Sequence, residues 1–299
     1  MPTDLPEPEI VYHYTTVDAM MKIVQSRSIW ATNMDYLNDT TEQEHFLALV
    51  RDRLPGFLHD RGIKGPYHFD NREVFDLGKW FTPPDERLPL HNLIFIASFS
   101  GEPDSLAQWR SYCPDGNGVA IGFSVAELKK AWVLDKALTE KDDTTSYESN
   151  DFRAVEYIDK SMTDSIDSVI AEAIKSAEEG DFCIGLPVTS EERRHARFNG
   201  ILRNEACTKK HASFHHENEY RLVVQPTAPP ESNTLRFRST RTTLVPFVVV
   251  HLEGRFVERV VVGPTSNMGL SVQAVRAFFA QKLMCPDVAS SAVPFRDIR

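Results

Sequence analysis

Residues 213–224 read SFHHENEYRLVV, and this stretch decides how the rest of the chain is interpreted. Side chains alternate between the two faces of a β-strand. The pattern therefore predicts Glu217, Glu219 and Arg221 on one face and the apolar side chains from Tyr220 onward on a core face. Two carboxylates and a guanidinium in a row are costly to bury, so their face is expected to serve a functional cleft. An exposed cross-strand ion pair is the alternative.

Outward from this strand, the sequence predicts an α+β protein. Apolar periodicity indicates strands at 9–15, 28–33, 92–100, 118–124, 152–159, 235–239, 243–252 and 255–264, with a short one near 292–296. It indicates helices at 15–26, 37–50, 104–112, 125–132, 160–178, 190–213 and 269–284. Because hairpins fall late and helices are interposed, a mixed, mostly antiparallel sheet with flanking helices is expected rather than a doubly wound parallel sheet.

Length and composition are those of one elaborated domain over residues 1–299. The chain is 41% hydrophobic and 10% aromatic, which supplies an ample core. Residues 1–9 form an acidic, proline-rich leader unlike a signal peptide, and residues 55–90 and 133–150 are predicted surface insertions. Without an apolar run of about 18 residues, and with four scattered cysteines, the protein is predicted to be cytoplasmic, with reduced thiols and no membrane partner.

Charge is distributed unevenly along the chain. The formal net charge of −10 argues against a surface coated with phosphate-binding residues. Segments 191–211 and 236–241 are nevertheless rich in arginine and lysine. One interpretation is that these residues form a solvated helix face and an exposed strand. The more specific alternative is a local anion-binding site.

Polar side chains lie on three predicted strands, which is unusual for a sheet core. They are His13 on the first strand, Ser98 and Ser100 on the third, and the Glu217–Glu219–Arg221 row. Polar groups on strands lose hydration unless they face a wet cleft. The three strands are therefore the candidate walls of a site.

Two common site types are not predicted. The sequence contains neither a GxGxxG motif nor a P-loop. His211 and His215 have the spacing of zinc ligands on a helix, but the HExxH glutamate and an identified third ligand are lacking, so no metal is predicted.

The chain resembles a widespread bacterial family of unknown function. Members begin with a strand that ends in HYT, continue to LND..E, then carry SFS…W..Y…G..IGF, and later show E.EYR. These motifs stand here at 13–15, 37–42, 98–123 and 217–221, within a resemblance that spans residues 11–297.

The order of these motifs is also similar to the ADP-ribosyltransferase superfamily, in which a His strand, an S-x-S strand and a late E-x-E strand bind NAD. That resemblance implies a split sheet with NAD as the substrate. By position, His13 would contact ribose, Ser98 and Ser100 would line the nicotinamide pocket, and Glu219 would be the catalytic carboxylate. Glu217 would be the first member of the E-x-E pair, and would share its catalytic assignment.

The same resemblance implies further NAD contacts. Tyr14 and Thr15 follow His13 on the first strand. Tyr14, Trp109 and Tyr112 are all candidates for the aromatic side chain that stacks on the ligand. Arg221 would orient the catalytic carboxylate or meet a phosphate group.

The activity that the resemblance implies is transfer of ADP-ribose to a macromolecular acceptor, with nucleic acid as a candidate because of the basic segments. A role as a toxin or antiphage effector would follow. A non-catalytic nucleotide- or phosphate-binding module and an RNA 2′-phosphotransferase-like enzyme are the alternatives. The sequence predicts no oligomeric state.

Overall fold

The computed structural model describes residues 7–37, 40–65, 67, 94–113, 116–133, 150–159, 161–179, 190–225 and 235–294. Its helices are α1 (Val17–Ser26), α2 (Thr40–Arg61), α3 (Leu106–Tyr112), α4 (Val125–Leu128), α5 (Thr163–Glu179), α6 (Ser190–Ala206) and α7 (Met268–Gln281), with 3₁₀ helices at Met34–Tyr36 and Ala212–Glu217. Its strands are β1 (Ile10–Thr16), β2 (Ser28–Asn33), β3 (Phe95–Ser100), β4 (Gly118–Ser124), β5 (Asn150–Ala154), β6 (Glu156–Ile158), β7 (Lys209–His211), β8 (Glu219–Val224), β9 (Arg236–Ser239), β10 (Leu244–His251), β11 (Val257–Val262) and β12 (Asp287–Ser290). None of the helices within these ranges is long and apolar enough to cross a bilayer.

Most of the strands belong to one mixed sheet. Its order is β12-β11-β4-β1-β3-β2-β10-β9, and β8 branches from β3 with β5 beyond it. The pairs are antiparallel except β11 with β12 and, in a separate two-stranded sheet, β6 with β7. The predicted α+β class, with a mostly antiparallel sheet and flanking helices, is confirmed.

The sheet splits at β3. One edge of β3 pairs with β8 along its whole length, from Phe95 to Ser100. The other edge pairs with β2 at Phe95 and Ile96 and with β1 at Ser100. Between these contacts β1 and β2 diverge, which opens a gap in the sheet beside Ser98.

Two apolar cores hold the elements around this gap. In the first, the sheet packs against α1 and α7, with Met20, Phe123 and Phe279 fully buried. In the second, α2, α5 and α6 pack together around Phe57 and Phe198. Burial of side chains of this size stabilises the fold by about 1.5–3 kcal/mol each.

The region before β8 differs from its prediction. Helix α6 ends at Ala206 rather than near residue 213, because the chain turns there to pair Lys209 with Glu156 on β6. The following 3₁₀ helix ends at Glu217 and is capped by Asn218, whose φ of 44° lies in the left-handed region that Asn tolerates. Strand β8 therefore begins at Glu219, and the prediction that Glu217 lies on the strand is wrong.

Other helix and strand boundaries also differ from their predictions. Helix α2 continues through Pro55 to Arg61, so residues 55–61 are helical, and most of the remainder of 55–90 lies outside the described residues, as does nearly all of 133–150. The last strand among the described residues is Asp287–Ser290, parallel to β11; residues 292–294 of the predicted strand near 292–296 are not in a strand, and 295–296 lie outside the described residues. Segment 152–159 divides into β5 and β6 because its two halves pair with different partners.

Candidate functional site

A cavity of about 360 Å³ lies where the sheet splits. This volume falls within the range of about 300–1,000 Å³ typical of small-ligand sites. Its lining comprises Tyr12, His13, Tyr14, Thr15, Thr16, Trp30, Thr32, Tyr36, Leu37, Ile96, Ala97, Ser98, Phe99, Ser100, Gln108, Tyr112, Glu217, Glu219 and Arg238. The split thus brings together β1, β2, β3 and the start of β8. Of the ten predicted site residues, Trp109 and Arg221 are not part of this lining.

His13 lies on β1 beside the split. Its Nδ1 is 3.0 Å from the carbonyl oxygen of Ser98. Because a carbonyl only accepts, Nδ1 carries the proton. Burial lowers the pKa of His13, although the Ser98 hydrogen bond opposes this effect. The ring is therefore neutral at pH 7, and its Nε2 lone pair can accept a hydrogen bond from a hydroxyl group.

This placement predicts that His13 titrates below its ordinary value of 6.5. Below pH 6.5 the unfolded chain then binds a proton that the native protein resists, so stability falls as the solution is acidified. Histidine NMR titration, with the resonance assigned through His13→Asn, measures this pKa. The variant should also show a weaker loss of stability just below pH 6.5. A His13 pKa above 6.5 would contradict this effect of the half-buried placement.

Glu219 is held in a buried ion network. Its Oε1 is 2.7 Å from Nε of Arg221, and its Oε2 is 3.0 Å from Nη2 of Arg221 and 3.2 Å from Nζ of Lys210. Arg221 also donates from Nη1 to the carbonyl of Cys207 at 2.7 Å. Glu219, Lys210 and Arg221 are 6%, 2% and 1% exposed. The Ser98 hydroxyl completes the shell of Glu219.

This network keeps Glu219 ionised. Burial alone would raise the pKa of its carboxyl group, but the charge and hydrogen bonds of Arg221, with Lys210 and Ser98, outweigh burial and leave the pKa below its ordinary value. Glu219 lines the cavity, whereas neither Lys210 nor Arg221 does. The network therefore places the carboxylate of Glu219 at the wall of the cavity, and the positive charges of Lys210 and Arg221 lie behind this wall.

Glu217 is the more accessible carboxylate. Its Oε2 is 2.6 Å from Nζ of Lys210, its side chain is 22% exposed, and it lines the same cavity. Although Glu217 is not on the strand, Lys210 brings it together with Glu219. Lys210 was not predicted to be a site residue.

The two serines of β3 shape the wall through hydrogen bonds. The Ser100 hydroxyl donates to the carbonyl of Glu217 at 2.7 Å and accepts from the amide of Glu102 at 3.1 Å. The Ser98 residue contacts His13 through its carbonyl and Glu219 through its hydroxyl. Ser98 is thus the direct link between the imidazole and the acidic network.

The three candidate aromatic residues occupy different positions. The Tyr14 hydroxyl makes two hydrogen bonds to the backbone, which fix it in the wall. Trp109 is 3% exposed and donates from Nε1 to Asp104 at 2.7 Å, so it belongs to the core. Tyr112 is 49% exposed and lines the cavity. Tyr112 is therefore the candidate best placed to meet a ligand ring, while Thr15 completes the β1 wall.

Several cavity residues were missed by sequence reasoning. Trp30 is 49% exposed and stacks on Phe247, with ring centroids 4.3 Å apart. Arg238 donates from Nη2 to the Thr32 hydroxyl at 3.2 Å. The polar and aromatic side chains at alternate positions of 28–33 were the available signal for Trp30 and Thr32. Nothing in the sequence indicated that Gln108 lines the cavity, apart from its place in a predicted helix.

A second cavity of about 800 Å³ adjoins the first. The two share His13, Thr15, Trp30, Thr32 and Arg238. The charged residues that line the second cavity are Lys22, Arg236 and Arg238, with no carboxylate among its lining. The combined groove is therefore acidic at the sheet split and basic beyond it.

Three basic residues of segment 191–211 pair with acidic side chains and do not line either cavity. Arg203 pairs with Asp35 at 2.7 Å, and Lys209 pairs with Glu156 at 2.6 Å. Lys210 is engaged by the acidic pair described above. The side chain of Arg193 lies outside the described residues. Among the segments that the sequence singled out, 236–241 is the one that supplies cations to the groove.

The described residues contain no group of three or more His, Cys, Asp or Glu side chains placed to hold a metal ion. His211 belongs to β7 and His215 to the following 3₁₀ helix, so they do not share the face of one α-helix. Nδ1 of His211 accepts a hydrogen bond from the amide of Ser213 at 3.1 Å.

Residues 108–222 match the model of a family described as a protein of unknown function (DUF2971). This segment is similar to a family of unknown function. It covers less than half of the chain and includes Tyr112, Glu217 and Glu219 of the cavity, but not His13. No curated protein and no solved structure matches the chain. The resemblance to ADP-ribosyltransferases stays a prediction.

Proposed function

We propose that the protein is an ADP-ribosyltransferase-like enzyme that binds NAD at the sheet split and cleaves the bond between nicotinamide and ribose. The observation that carries the proposal is that His13 and Glu219, from strands far apart in the chain, line one cavity. Ser98 contacts both residues, so the imidazole and the acidic network flank a single residue of β3.

The charge arrangement suits this reaction. When the C1′–N bond of NAD breaks, nicotinamide leaves with the bonding electron pair and the ribose develops oxocarbenium character. An oxygen of water or of an acceptor then forms the new bond at C1′ and gives up its proton to solvent. Glu219 supplies negative charge toward the cavity with its position fixed in advance by Arg221, which is how preorganised groups stabilise a transition state. His13 can accept a hydrogen bond from a ribose hydroxyl group at Nε2.

The rest of the groove suits the remainder of a dinucleotide. Tyr112 offers an exposed ring at the acidic end, and Arg238 lies at the junction of the two cavities. A guanidinium binds phosphate oxygens through paired N–H donors. Arg238 is therefore the proposed contact for the diphosphate.

A nucleotide-binding module without turnover is the second candidate. An ionised carboxylate offers about four acceptor positions. The Glu219 carboxylate already receives two bonds from Arg221, one from Lys210 and one from Ser98. Because its acceptor positions are filled, the geometry favours a structural role for the Glu219 carboxylate. A catalytic role requires that Glu219 act on the ligand by its charge alone or that Glu217 make the contact.

Incubation of the purified protein with NAD distinguishes the candidates. We expect time-dependent release of free nicotinamide, measured by chromatography, with ADP-ribose transferred to water or to an acceptor. NADH is the matched control, because its uncharged dihydronicotinamide is a poor leaving group and should not be released. NAD binding by calorimetry without release would support the second candidate. Absence of both binding and release would overturn both.

A further inference from the structure

One face of the part of the sheet formed by β2, β10 and β9 carries aromatic and basic side chains side by side. The register places Phe247 of β10 opposite Thr32 of β2 on one side and opposite Arg236 of β9 on the other. Because alternate residues share a face, Trp30 and Arg238 lie on the same face as these three. This face forms the floor of the larger cavity.

Trp30 provides an exposed stacking surface on this face. It stacks on Phe247 with an angle of 28° between the rings, and Phe247 is itself only 4% exposed. The buried ring fixes the indole, while about half of the indole surface stays open to solvent. An anchored and exposed aromatic ring accepts any base by stacking, whatever the sequence of the nucleic acid.

The charged residues that line the larger cavity are all basic. Arg236 and Arg238 line the cavity from β9, whose four residues are all exposed. Lys22 lines it from α1 and pairs with Asp18 at 2.7 Å. In a chain of net charge −10 this basic groove is a local exception. Arginines beside an exposed aromatic ring form the arrangement that binds a phosphodiester backbone and its bases.

We propose that the larger cavity and the face beneath it bind a single-stranded nucleic acid. A base would stack on Trp30 and the adjoining phosphates would meet Arg236 and Arg238. The strand would then lie next to the acidic end of the groove and serve as the ADP-ribose acceptor. The acceptor role rests on the proposed NAD chemistry, whereas the binding itself does not.

Binding is tested without NAD, so that its failure is separate from failure of the enzyme proposal. Fluorescently labelled oligo(dT) and oligo(rU) of about 12 nucleotides, in separate arms, are titrated with the full chain by anisotropy at several salt concentrations. Trp30→Ala should weaken binding by about tenfold to a hundredfold. Arg236→Gln should lower the slope of log K against log salt by about 0.7, the value for one phosphate contact on a single strand.

Matched controls lie on β9 and just before β11. Phe237→Ala removes an aromatic side chain that is 47% exposed and faces the opposite side of β9, and Arg255→Gln removes a side chain that is 68% exposed outside the groove. Both should bind like the wild type. Binding of oligo(dT) or of oligo(rU) supports the proposal. The oligonucleotide that binds more tightly shows whether the strand is DNA or RNA. No binding of either probe, equal loss in the controls, or full competition by a mononucleotide at equal concentration would overturn it.

Discussion

Replacing Arg221 with leucine is expected to lower the free energy of unfolding by about 3–5 kcal/mol, the usual cost of removing one partner of a buried ion pair. Arg221 is 1% exposed and donates three hydrogen bonds, two to Glu219 and one to the carbonyl of Cys207. Removing it leaves a buried carboxylate with Lys210 as its remaining cation among these contacts. Urea unfolding followed by circular dichroism measures the loss.

A double variant separates the ion pair from the packing. Arg221→Leu combined with Glu219→Leu should recover part of the loss, because a buried pair replaced by apolar residues is often nearly neutral. Recovery should be incomplete, since the Cys207 carbonyl still lacks its donor. Arg255→Leu is the control, because an exposed pair such as Arg255–Glu258 contributes less than about 1 kcal/mol. An Arg221→Leu effect no larger than that of the control would show that the network is not buried.

The stability gap between wild type and Arg221→Leu should also depend on pH. The pKa of native Glu219 lies below its unfolded value, so its contribution is fully present above the unfolded pKa and is lost as the pH falls through the native pKa. Removing Arg221 takes away the main cause of that depression. The gap should therefore be widest near pH 7 and narrow below about pH 4, near the pKa of an unperturbed carboxyl group.

The fold was predictable where the apolar pattern is strong. Buried strands such as Phe95–Ser100 and Gly118–Ser124 were located from the sequence alone, together with the mostly antiparallel sheet. The segment between α6 and β8 was not. Its helical pattern ends at Ala206 because pairing with β6 outweighs local propensity, and tertiary pairing of this kind is not visible in a single sequence.

The candidate site was predictable as a set of residue types but not as a network. His13, Ser98 and Glu219 could be identified because polar residues on strands need a reason to be there. Lys210 could not, since it belongs to a basic run that looks solvated and is in fact 2% exposed. Trp109 was a candidate ligand contact because its exposure cannot be derived from the sequence, and the fold buries it against Tyr14.

Replacing Glu219 with glutamine is expected to reduce nicotinamide release by about 10²–10³-fold, equivalent to about 2.7–4 kcal/mol of barrier. Glutamine keeps the size and shape of the side chain and removes its charge, so the wall of the cavity that faces the ribose loses half of its formal negative charge. NAD binding should change much less than turnover, because the carboxylate acts on charge that develops only in the transition state. Turnover is compared under single-turnover conditions, at temperatures where circular dichroism shows both proteins folded.

Glu217→Gln is the matched control, because Glu217 lines the same cavity and contacts the same Lys210 Nζ at 2.6 Å. If Glu219 is the catalytic carboxylate, Glu217→Gln should reduce turnover less than tenfold. The reverse order would assign catalysis to Glu217 and leave Glu219 as the group that positions Lys210. If both variants release nicotinamide at the wild-type rate, no carboxylate of this wall takes part, and the proposed chemistry at the split of the sheet is wrong.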